Sequence, residues 1–540
     1  MPVDEQSASA SVEEAPHARF PHPFHEDPRD GLNESVPGRW GARTLAELRM
    51  CRLSSLIRQT PRWWEKMRDP AMRSKWIQEA KEQQKDLKHG EKLTDQMYDY
   101  VMDELDGYAE LRDEKTGIEC GPYHAIFFSD YLIPQDLTEA LQRAVKALDD
   151  VPEQEKDWHP GSEGRVLDLD DQIDAMFISH RFQWLPSDFQ VDDKGVVKLA
   201  SSYINNIHPQ YHDTLVPVIE RILEQAVPMW ERVLSALDTG PGLLRLYPTF
   251  ECIRDAASSL VKHREDELER ARDYYAWLQS KIDCGSFELY ECWPYRGPFE
   301  RLPEKKFSLA ESRIQVNVKL ADIVLTPEKP EYPGGIWHVE GTAGECIIST
   351  FIYPYDSENI EACDLSFRAA TAAPDYHRRY LNDTICTRNL YGMIQGDPCT
   401  QDIGSVETGA GVVLRSRTST STGWVSPCRL VDQTKPGVRK ILIFFLVDPT
   451  VNVPSTSVVG PRQRDIVKYT LLQVAHERAA SSRLAMLPVE LLDYIGSLVL
   501  GTMSRAEAEG IRGKLMKERS VMIKSVNTQF FEREFNTCEH

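Results

Sequence analysis

A histidine and a glutamate, His338 and Glu340, stand two residues apart in this sequence, shortly after the glycine pair Gly334–Gly335. The surrounding residues predict a β-strand, and side chains at positions i and i+2 of a strand point to the same face. The two side chains could therefore hold one metal ion together. An imidazole and a carboxylate are two members of the 2-His-1-carboxylate triad that binds Fe(II) in non-haem oxygenases. Spacing alone favours an ordinary hydrogen-bonded pair beside a turn, so the interpretation depends on a third ligand.

Two further groups of residues allow weaker interpretations. His208 and His212 stand four apart near the predicted start of a helix, where both rings could face one metal ion. No helical carboxylate motif accompanies them, which argues against such a site. Aromatic residues flank the His-x-Glu pair and could line a substrate pocket, although ordinary core packing is their commoner role: Tyr332, Trp337, Tyr353 and Tyr355.

The composition limits which partners the chain could have. Of its 540 residues, 41% are hydrophobic and 27% are charged, which is typical of a globular protein. The formal net charge of -21 argues against nucleic acid and anionic membranes as partners. No apolar run reaches transmembrane length and no secretory signal is visible, so we expect an intracellular, cytoplasmic location. The 11 cysteines include no Cys-x-x-Cys pair and are expected to be reduced thiols.

Hydrophobic periodicity predicts the elements that would position these residues. Residues 1–38 are rich in Pro, Glu, Ser and His, which predicts a flexible arm. Residues 39–310 are predicted to be mostly helical with a few strands, and residues 466–540 to form C-terminal helices. Between them, residues 311–465 contain strand-like runs joined by Pro/Gly turns. We therefore predict an α+β fold whose core is a double-stranded β-helix of the jelly-roll or cupin-like type.

Several strings along the chain resemble one known family: Tyr203–Pro209, Leu325–Gly335, Tyr355–Ile360, Gly404–Thr408 and Thr434–Gly437. On these strings the chain resembles a fungal family catalogued as domain of unknown function 4246 (DUF4246). The family name carries no activity, but the C-terminal half of the chain resembles the core of 2-oxoglutarate/Fe(II)-dependent dioxygenases. That resemblance implies Fe(II) and 2-oxoglutarate as cofactors. It also implies that His338 and Glu340 are iron ligands and that a later histidine is the third.

The resemblance further implies a basic residue that binds the far carboxylate of 2-oxoglutarate. Arg439 stands at the head of a predicted apolar strand, where that residue is expected. Its guanidinium could grip a carboxylate through two parallel hydrogen bonds. The alternative is an arginine at a strand end that pairs with a carboxylate of the protein.

The expected third iron ligand is missing from the sequence as written. Where the family has a string close to Phe-Pro-Asn-Val-x-Gln-His-Arg, residues 416–423 read Ser-Arg-Thr-Ser-Thr-Ser-Thr-Gly. Neither Thr422 nor Gly423 can replace an imidazole as an Fe(II) ligand. Codons exist that encode the written string in one reading frame and Phe-Pro-Asn-Val-Tyr-Gln-His-Arg in the neighbouring frame. Residues 416–424 are therefore either a local frameshift or mis-splice, or a genuine divergence from the family.

These observations leave two functional hypotheses. The first is a 2-oxoglutarate/Fe(II)-dependent oxygenase that oxidises an unknown small-molecule or protein substrate, and whose activity depends on the identity of residues 416–424. The second is a non-catalytic, cupin-like binding or scaffold protein, which the missing histidine favours. Restoring the family string and measuring iron binding and 2-oxoglutarate turnover separates them.

Overall fold

A computed structural model describes most of the chain. The described residues are Phe20, Phe24, 41–88, 91–152, 156, 178–239, 245–248, 276–277, 279–284, 290–297, 306–372, 384–409, 411, 413–417, 424–477 and 483–535. The arm predicted over residues 1–38 lies outside them except for Phe20 and Phe24. Phe20 is buried against Phe307, with ring centroids 5.4 Å apart.

The helices begin where the sequence offers a capping side chain or a proline. Thr44 caps the first helix, Asp69 precedes Pro70 at the start of another, and Ser504 and Glu507 exchange capping hydrogen bonds. The described α-helices are Leu45–Arg58, Trp63–Lys66, Pro70–Gln83, Asp95–Leu111, Gln135–Asp149, Leu215–Thr239, Thr384–Tyr391, Arg464–Glu477, Val489–Ser497 and Arg505–Val526. Short 3₁₀ turns span Ala343–Glu345 and Arg483–Met486. Within the described residues, no helix is both apolar enough and long enough to span a bilayer.

The strands are numbered in chain order, and all their pairings within sheets are antiparallel. They are β1 Glu119–Cys120, β2 Phe127–Ser129, β3 Ser187–Val191, β4 Val197–Leu199, β5 Leu246–Pro248, β6 Tyr290–Cys292, β7 Arg313–Leu325, β8 Glu331–Tyr332, β9 Ile347–Glu358, β10 Cys363–Ala370, β11 Thr400–Thr408, β12 Val413–Arg417, β13 Trp424–Val425, β14 Cys428–Arg429 and β15 Gly437–Val447. The fold is therefore a mixture of helices and antiparallel sheets, as the sequence predicts at this level.

The largest sheet has eight strands in the order β1-β2-β12-β9-β15-β7-β3-β4. Strands from the first half of the chain, β1 to β4, extend both of its edges. A second sheet has the order β11-β10-β13, and β8 pairs with β14 in a separate two-stranded ladder. From β7 to β15 the chain passes repeatedly between the large sheet and the two smaller sheets. Strands β7, β9, β12 and β15 lie in the large sheet, and β8, the pair β10 and β11, and the pair β13 and β14 lie between them in the smaller ones.

The two faces of the large sheet have different environments. On the outer face, Phe351 and Phe444 stack with ring centroids 5.6 Å apart and pack against Trp230 of the helix Leu215–Thr239. Because strand side chains alternate, the neighbouring residues of β9 and β15 lie on the opposite, inner face. There Ile352 packs against the cluster formed by β10 and β11, and Phe445 packs against Trp184, with ring centroids 5.0 Å apart. The inner face therefore looks toward the smaller sheets.

Candidate functional site

His338 and Glu340 lie on a loop, so the prediction that they occupy a strand is wrong. Strand β8 ends at Tyr332, and residues 333–341, called the ligand loop below, join no ladder. The glycine pair explains the change, because Gly334 has a φ of +93° and a Cβ there would stand 2.8 Å from the carbonyl oxygen of Val425. Gly335 donates its backbone N–H to that same oxygen at 3.0 Å. The loop is thus held against β13 by backbone contact.

The ligand loop nevertheless brings the two predicted ligand side chains together. His338 Nε2 and Glu340 Oε1 are 3.0 Å apart, and His338 Nδ1 is 2.7 Å from the carbonyl oxygen of Ile336. A carbonyl at Nδ1 fixes the tautomer that leaves Nε2 free to bind a metal. Two adjacent ligand atoms of an octahedral ion, each about 2.1 Å from it, would stand about 3.0 Å apart. The observed separation therefore suits either a hydrogen bond or two ligands of one ion.

Without a metal, each member of the pair stabilises the charged form of the other. Burial disfavours both charges, but the attraction of Glu340 and the hydrogen bonds to Glu340 and Ile336 outweigh it and raise the pKa of His338. Burial likewise works against the Glu340 carboxylate, but His338 overcomes it and lowers the pKa of Glu340 to about 2. A divalent ion would take the place of the Nε2 proton and keep the same hydrogen bond to Ile336.

Two cations that the sequence analysis did not select face this pair. Lys319 lies on the inner face of β7, opposite Ile443 of β15, and its charge acts on both His338 and Glu340. Lys319 makes no ion pair within the described chain. Arg519, from the helix Arg505–Val526, also contributes to the low pKa of Glu340. The alternation along β7 could have revealed Lys319, but no local signal connects Arg519 to a loop far away in sequence.

The C-terminal helix and its continuation fasten the ligand loop. Asn527 Nδ2 donates to the carbonyl oxygen of Trp337 at 2.9 Å, and Asn527 Oδ1 accepts from Arg368 at 3.0 Å. The Arg368 guanidinium lies over the Trp337 ring, 4.8 Å from its centroid. Val339 is buried in a cluster that includes Met522. The loop geometry thus depends on residues from β10 and from the end of the chain.

Arg439 occupies a buried site on the inner face near the start of β15. It is 3% exposed, and its Nη2 donates to the Thr408 carbonyl oxygen and, at 2.7 Å, to Thr408 Oγ1. Its Nε is buried and has no hydrogen-bond partner. Within the described residues no carboxylate pairs with Arg439, so the alternative of a structural ion pair finds no support there. An unpartnered, buried N–H of a cation costs about 1–3 kcal/mol or more, and a bound carboxylate would remove that cost.

The structure does not bring Arg439 into contact with the other two predicted site residues. No hydrogen bond or ion pair within the described ranges joins it to His338 or Glu340. Arg439 lies four residues along β15 from Ile443, the neighbour of Lys319, which is a distance of about 13 Å along the strand. Both ends of this stretch share the inner face.

The segment expected to supply the third ligand lies partly outside the described residues, which omit 418–423. Its flanks are described: β12 pairs with β9 in the large sheet, and β13 pairs with β10 in the smaller one. The described chain thus ends in the large sheet at Arg417 and resumes in the smaller sheet at Trp424, and Val425 lies beside the glycine pair of the ligand loop. Among the described residues, no group of three or more His, Cys, Asp or Glu side chains gathers as a metal site.

The weaker candidates have structural roles. His212 Nδ1 accepts the backbone N–H of His208 at 3.1 Å, and His208 Nδ1 accepts that of Gln210 at 3.1 Å, so one nitrogen of each ring is occupied. Tyr353 and Tyr355 are buried in the core on the outer face of the large sheet. Of the four aromatic residues selected from the sequence, Trp337 is the one on the ligand loop itself.

Comparison with known families shows which family the chain belongs to. The family described as "Protein of unknown function (DUF4246)" matches residues 95–174 and 170–470, and "Domain of unknown function DUF4246, N-terminal" matches residues 1–79. The chain therefore belongs to the DUF4246 family.

Other comparisons add little. No curated protein matches the chain. One similar solved structure is titled "Selenomethionine labeled Fe(II)/(alpha)ketoglutarate-dependent dioxygenase TqaL", with 14% identity and a TM-score of 0.16 over 35% of this chain. The match spans 58% of that protein, and a TM-score this low carries no argument about fold or activity.

Proposed function

We propose that this chain is an Fe(II)- and 2-oxoglutarate-dependent oxygenase whose activity depends on a third iron ligand from the segment between β12 and β13. The observation that carries the proposal is the His338–Glu340 pair. Its two candidate ligand atoms, His338 Nε2 and Glu340 Oε1, are 3.0 Å apart, and a backbone carbonyl orients the imidazole. This is the arrangement that two members of a 2-His-1-carboxylate site require.

The strand order supports a double-stranded β-helix as the core of this enzyme. In a jelly roll, eight antiparallel strands fold into two facing sheets, and the chain passes repeatedly from one to the other. Here β7, β9, β12 and β15 lie in the large sheet, while β8, β10, β11, β13 and β14 lie in the smaller ones. We take β13 and β14 as one interrupted strand, which gives eight. The ligand loop then follows the second strand of the core.

Each proposed site residue has a defined task. His338 and Glu340 would hold the iron, and Arg439 would bind the far carboxylate of 2-oxoglutarate through its unpartnered Nε. When bound, iron and 2-oxoglutarate would supply the oxidising power for reaction with dioxygen. Arg368, Trp337 and Asn527 would keep the ligand loop in place. The protein's remaining task is to keep coordination positions open and water away from them.

A second candidate is a non-catalytic binding or scaffold protein. One observation favours it: residues 416–423 contain no histidine, and the described residues supply only two ligand atoms at the site. Two ligands hold Fe(II) less firmly than three. In this case the chain as written keeps the fold and the anion-binding arginine but has lost the chemistry.

The test compares two versions of the full chain, one as written and one in which residues 416–423 read Phe-Pro-Asn-Val-Tyr-Gln-His-Arg. Anaerobic calorimetry measures Fe(II) binding, and succinate formation in air measures 2-oxoglutarate turnover. We expect the restored chain to bind Fe(II) at least about tenfold more tightly than the written chain and to form succinate. His338→Ala should abolish both gains, whereas His476→Ala, at an exposed helical position, should change neither. A restored, folded chain that neither binds Fe(II) nor forms succinate would contradict the oxygenase proposal and favour the non-catalytic binding or scaffold protein.

A further inference from the structure

The helix Val489–Ser497 packs on the rest of the chain through one narrow face. Its buried residues are Leu492 and Gly496, which stand four positions apart and therefore share a face. Gly496 packs closely against the helix Arg464–Glu477, because a Cβ added to it would stand 3.6 Å from Leu471 Cδ1. The other faces of the helix carry partly or fully exposed side chains.

The face opposite this contact is apolar and exposed. Leu491, Tyr494 and Leu498 follow one another at spacings of three and four residues, so they form a stripe along the helix. The turns on either side of the helix add further apolar side chains. Six large hydrophobic residues in this stretch are at least 47% exposed, and they are called the apolar patch below: Met486, Val489, Leu491, Tyr494, Leu498 and Leu500.

The apolar patch has the size of a protein–protein interface. Its six residues together expose on the order of 800 Å², whereas the largest apolar patch of a typical monomer covers about 300–600 Å². A standard interface buries about 800 Å² on each partner. Exposed hydrophobic residues elsewhere, such as Leu56 and Val431, stand singly in the sequence, as is ordinary on a protein surface. The patch is therefore large enough to form one complete interface.

The charges around the apolar patch are balanced and lie at its two ends. Residues 483–505 contain two arginines, one glutamate and one aspartate, so their formal net charge is zero in a chain whose net charge is -21. Glu490 stands in the first turn of the helix, is exposed, and makes no ion pair within the described chain. Beyond the other end, Arg462 Nη1 donates to the carbonyl oxygen of Gly501 at 3.1 Å. Among the described residues no carboxylate pairs with this guanidinium.

A patch with an acidic end and a basic end complements a second copy of itself. In a two-fold dimer the same surface of both chains meets, and every contact occurs twice. If two copies of the helix Val489–Ser497 pair antiparallel, the Glu490 end of each lies against the Arg462 end of the other, and the two apolar stripes face each other. The negative charge on the rest of each chain is screened over about 8 Å at physiological ionic strength, so it does not prevent contact at a neutral patch.

We propose that the apolar patch is the interface of a two-fold dimer of this chain. The second copy fits because the patch has the area of one interface, no net charge, and two oppositely charged ends on each chain. The proposal uses neither the ligand loop nor iron. Its failure and the failure of the proposed enzyme can therefore be told apart.

Sedimentation equilibrium of the full chain, over about 1–100 µM, tests the proposal. We expect dimers at about 10 µM and above. Leu498→Glu should raise the dissociation constant at least about tenfold, because each dimer would bury two added charges. Leu56→Glu is the matched control, because it adds the same charge at an exposed leucine of the helix Leu45–Arg58 and should change the constant by less than about twofold.

Charge reversal tests the antiparallel arrangement. Glu490→Arg and Arg462→Glu should each raise the dissociation constant about threefold or more, since the dimer contains this pair twice, and the two changes in one chain should restore it. In the wild type, hydrogen exchange of peptides within residues 486–500 should slow as the chain concentration rises. A chain that is monomeric at about 100 µM would leave the patch to a different protein and overturn the proposal. A dimer that Leu498→Glu leaves intact, or a double reversal that restores nothing, would also overturn it.

Discussion

Replacing Glu345 with glutamine should loosen the attachment of the ligand loop to the rest of the molecule. Glu345 is 1% exposed and follows the loop in a 3₁₀ turn. Its Oε1 accepts the backbone N–H of Trp184 at 2.6 Å and the guanidinium of Arg519, and its Oε2 accepts the backbone N–H of Thr342 at 2.9 Å. One carboxylate thus ties together three segments distant in sequence.

The cost follows from these contacts. Glutamine keeps the size of the side chain but offers one acceptor oxygen, so its NH₂ group must face at least one N–H donor. It also removes the charge that strengthens the remaining hydrogen bonds and pairs with Arg519. A buried hydrogen bond to a charged group contributes about 1.5–3 kcal/mol. We expect the free energy of local opening to fall by about 2–3 kcal/mol, which raises the equilibrium constant for opening about 30- to 150-fold.

Hydrogen exchange measures this directly. In peptides that contain Thr342 or Trp184, the amide protons that Glu345 accepts should exchange about 30- to 150-fold faster in Glu345→Gln than in the wild type. Glu361→Gln is the matched control, because Glu361 pairs with Arg429 at an exposed position and should change exchange there by less than about threefold. Unchanged protection of Thr342 and Trp184 in a folded Glu345→Gln variant would show that Glu345 does not fasten these segments.

Three further changes should have defined effects. Gly334→Ala should lower the free energy of unfolding in urea titrations by at least about 1 kcal/mol, because φ is +93° and the Val425 carbonyl oxygen blocks a Cβ there. Gly335→Ala should be tolerated, because a Cβ there would stand 3.6 Å from its nearest neighbour. Equal effects of the two substitutions would contradict this explanation. Burial opposes ionisation of Asp188, but hydrogen bonds from hydroxyl, amide and guanidinium groups lower its pKa. Its stabilising contribution is complete above the ordinary aspartate pKa of about 4 and is lost as pH falls below it. Asp188→Asn should therefore flatten the acid side of the stability profile, and an unchanged profile argues against this role. Asn527→Ala removes the hydrogen bond to the Trp337 carbonyl and should speed exchange across the ligand loop about tenfold, while unchanged exchange shows that the loop needs no such tether.

Much of the fold follows from local sequence patterns. The alternation over 314–325 predicts β7, because a strand with one buried face alternates apolar and polar residues. The apolar run over 440–447 predicts β15, because a strand buried on both faces is apolar throughout. The ligand loop shows where such reasoning ends. The sequence of residues 336–340 predicts a strand, but these residues pair with no other strand. The cause is the positive φ at Gly334 together with the contact with Val425, which is far along the chain.

The candidate site is partly predictable for the same reasons. The spacing of His338 and Glu340 predicts that their side chains lie together, and the structure brings them together although the predicted strand is absent. The role of Arg439 is implied only by resemblance, and the sequence carries no sign of its buried, unpartnered Nε. Arg519 reaches the site from a helix near the end of the chain. Tertiary contacts of this kind leave no local signal.

Anomalous diffraction at the iron absorption edge shows directly whether His338 and Glu340 bind one iron ion. Crystals of the restored chain would be grown anaerobically with Fe(II) and 2-oxoglutarate. We expect one strong peak about 2.1 Å from both His338 Nε2 and Glu340 Oε1, with the far carboxylate of 2-oxoglutarate bound by Arg439. An iron peak bound by other residues, or no peak beside a well-ordered His338–Glu340 pair, would contradict it.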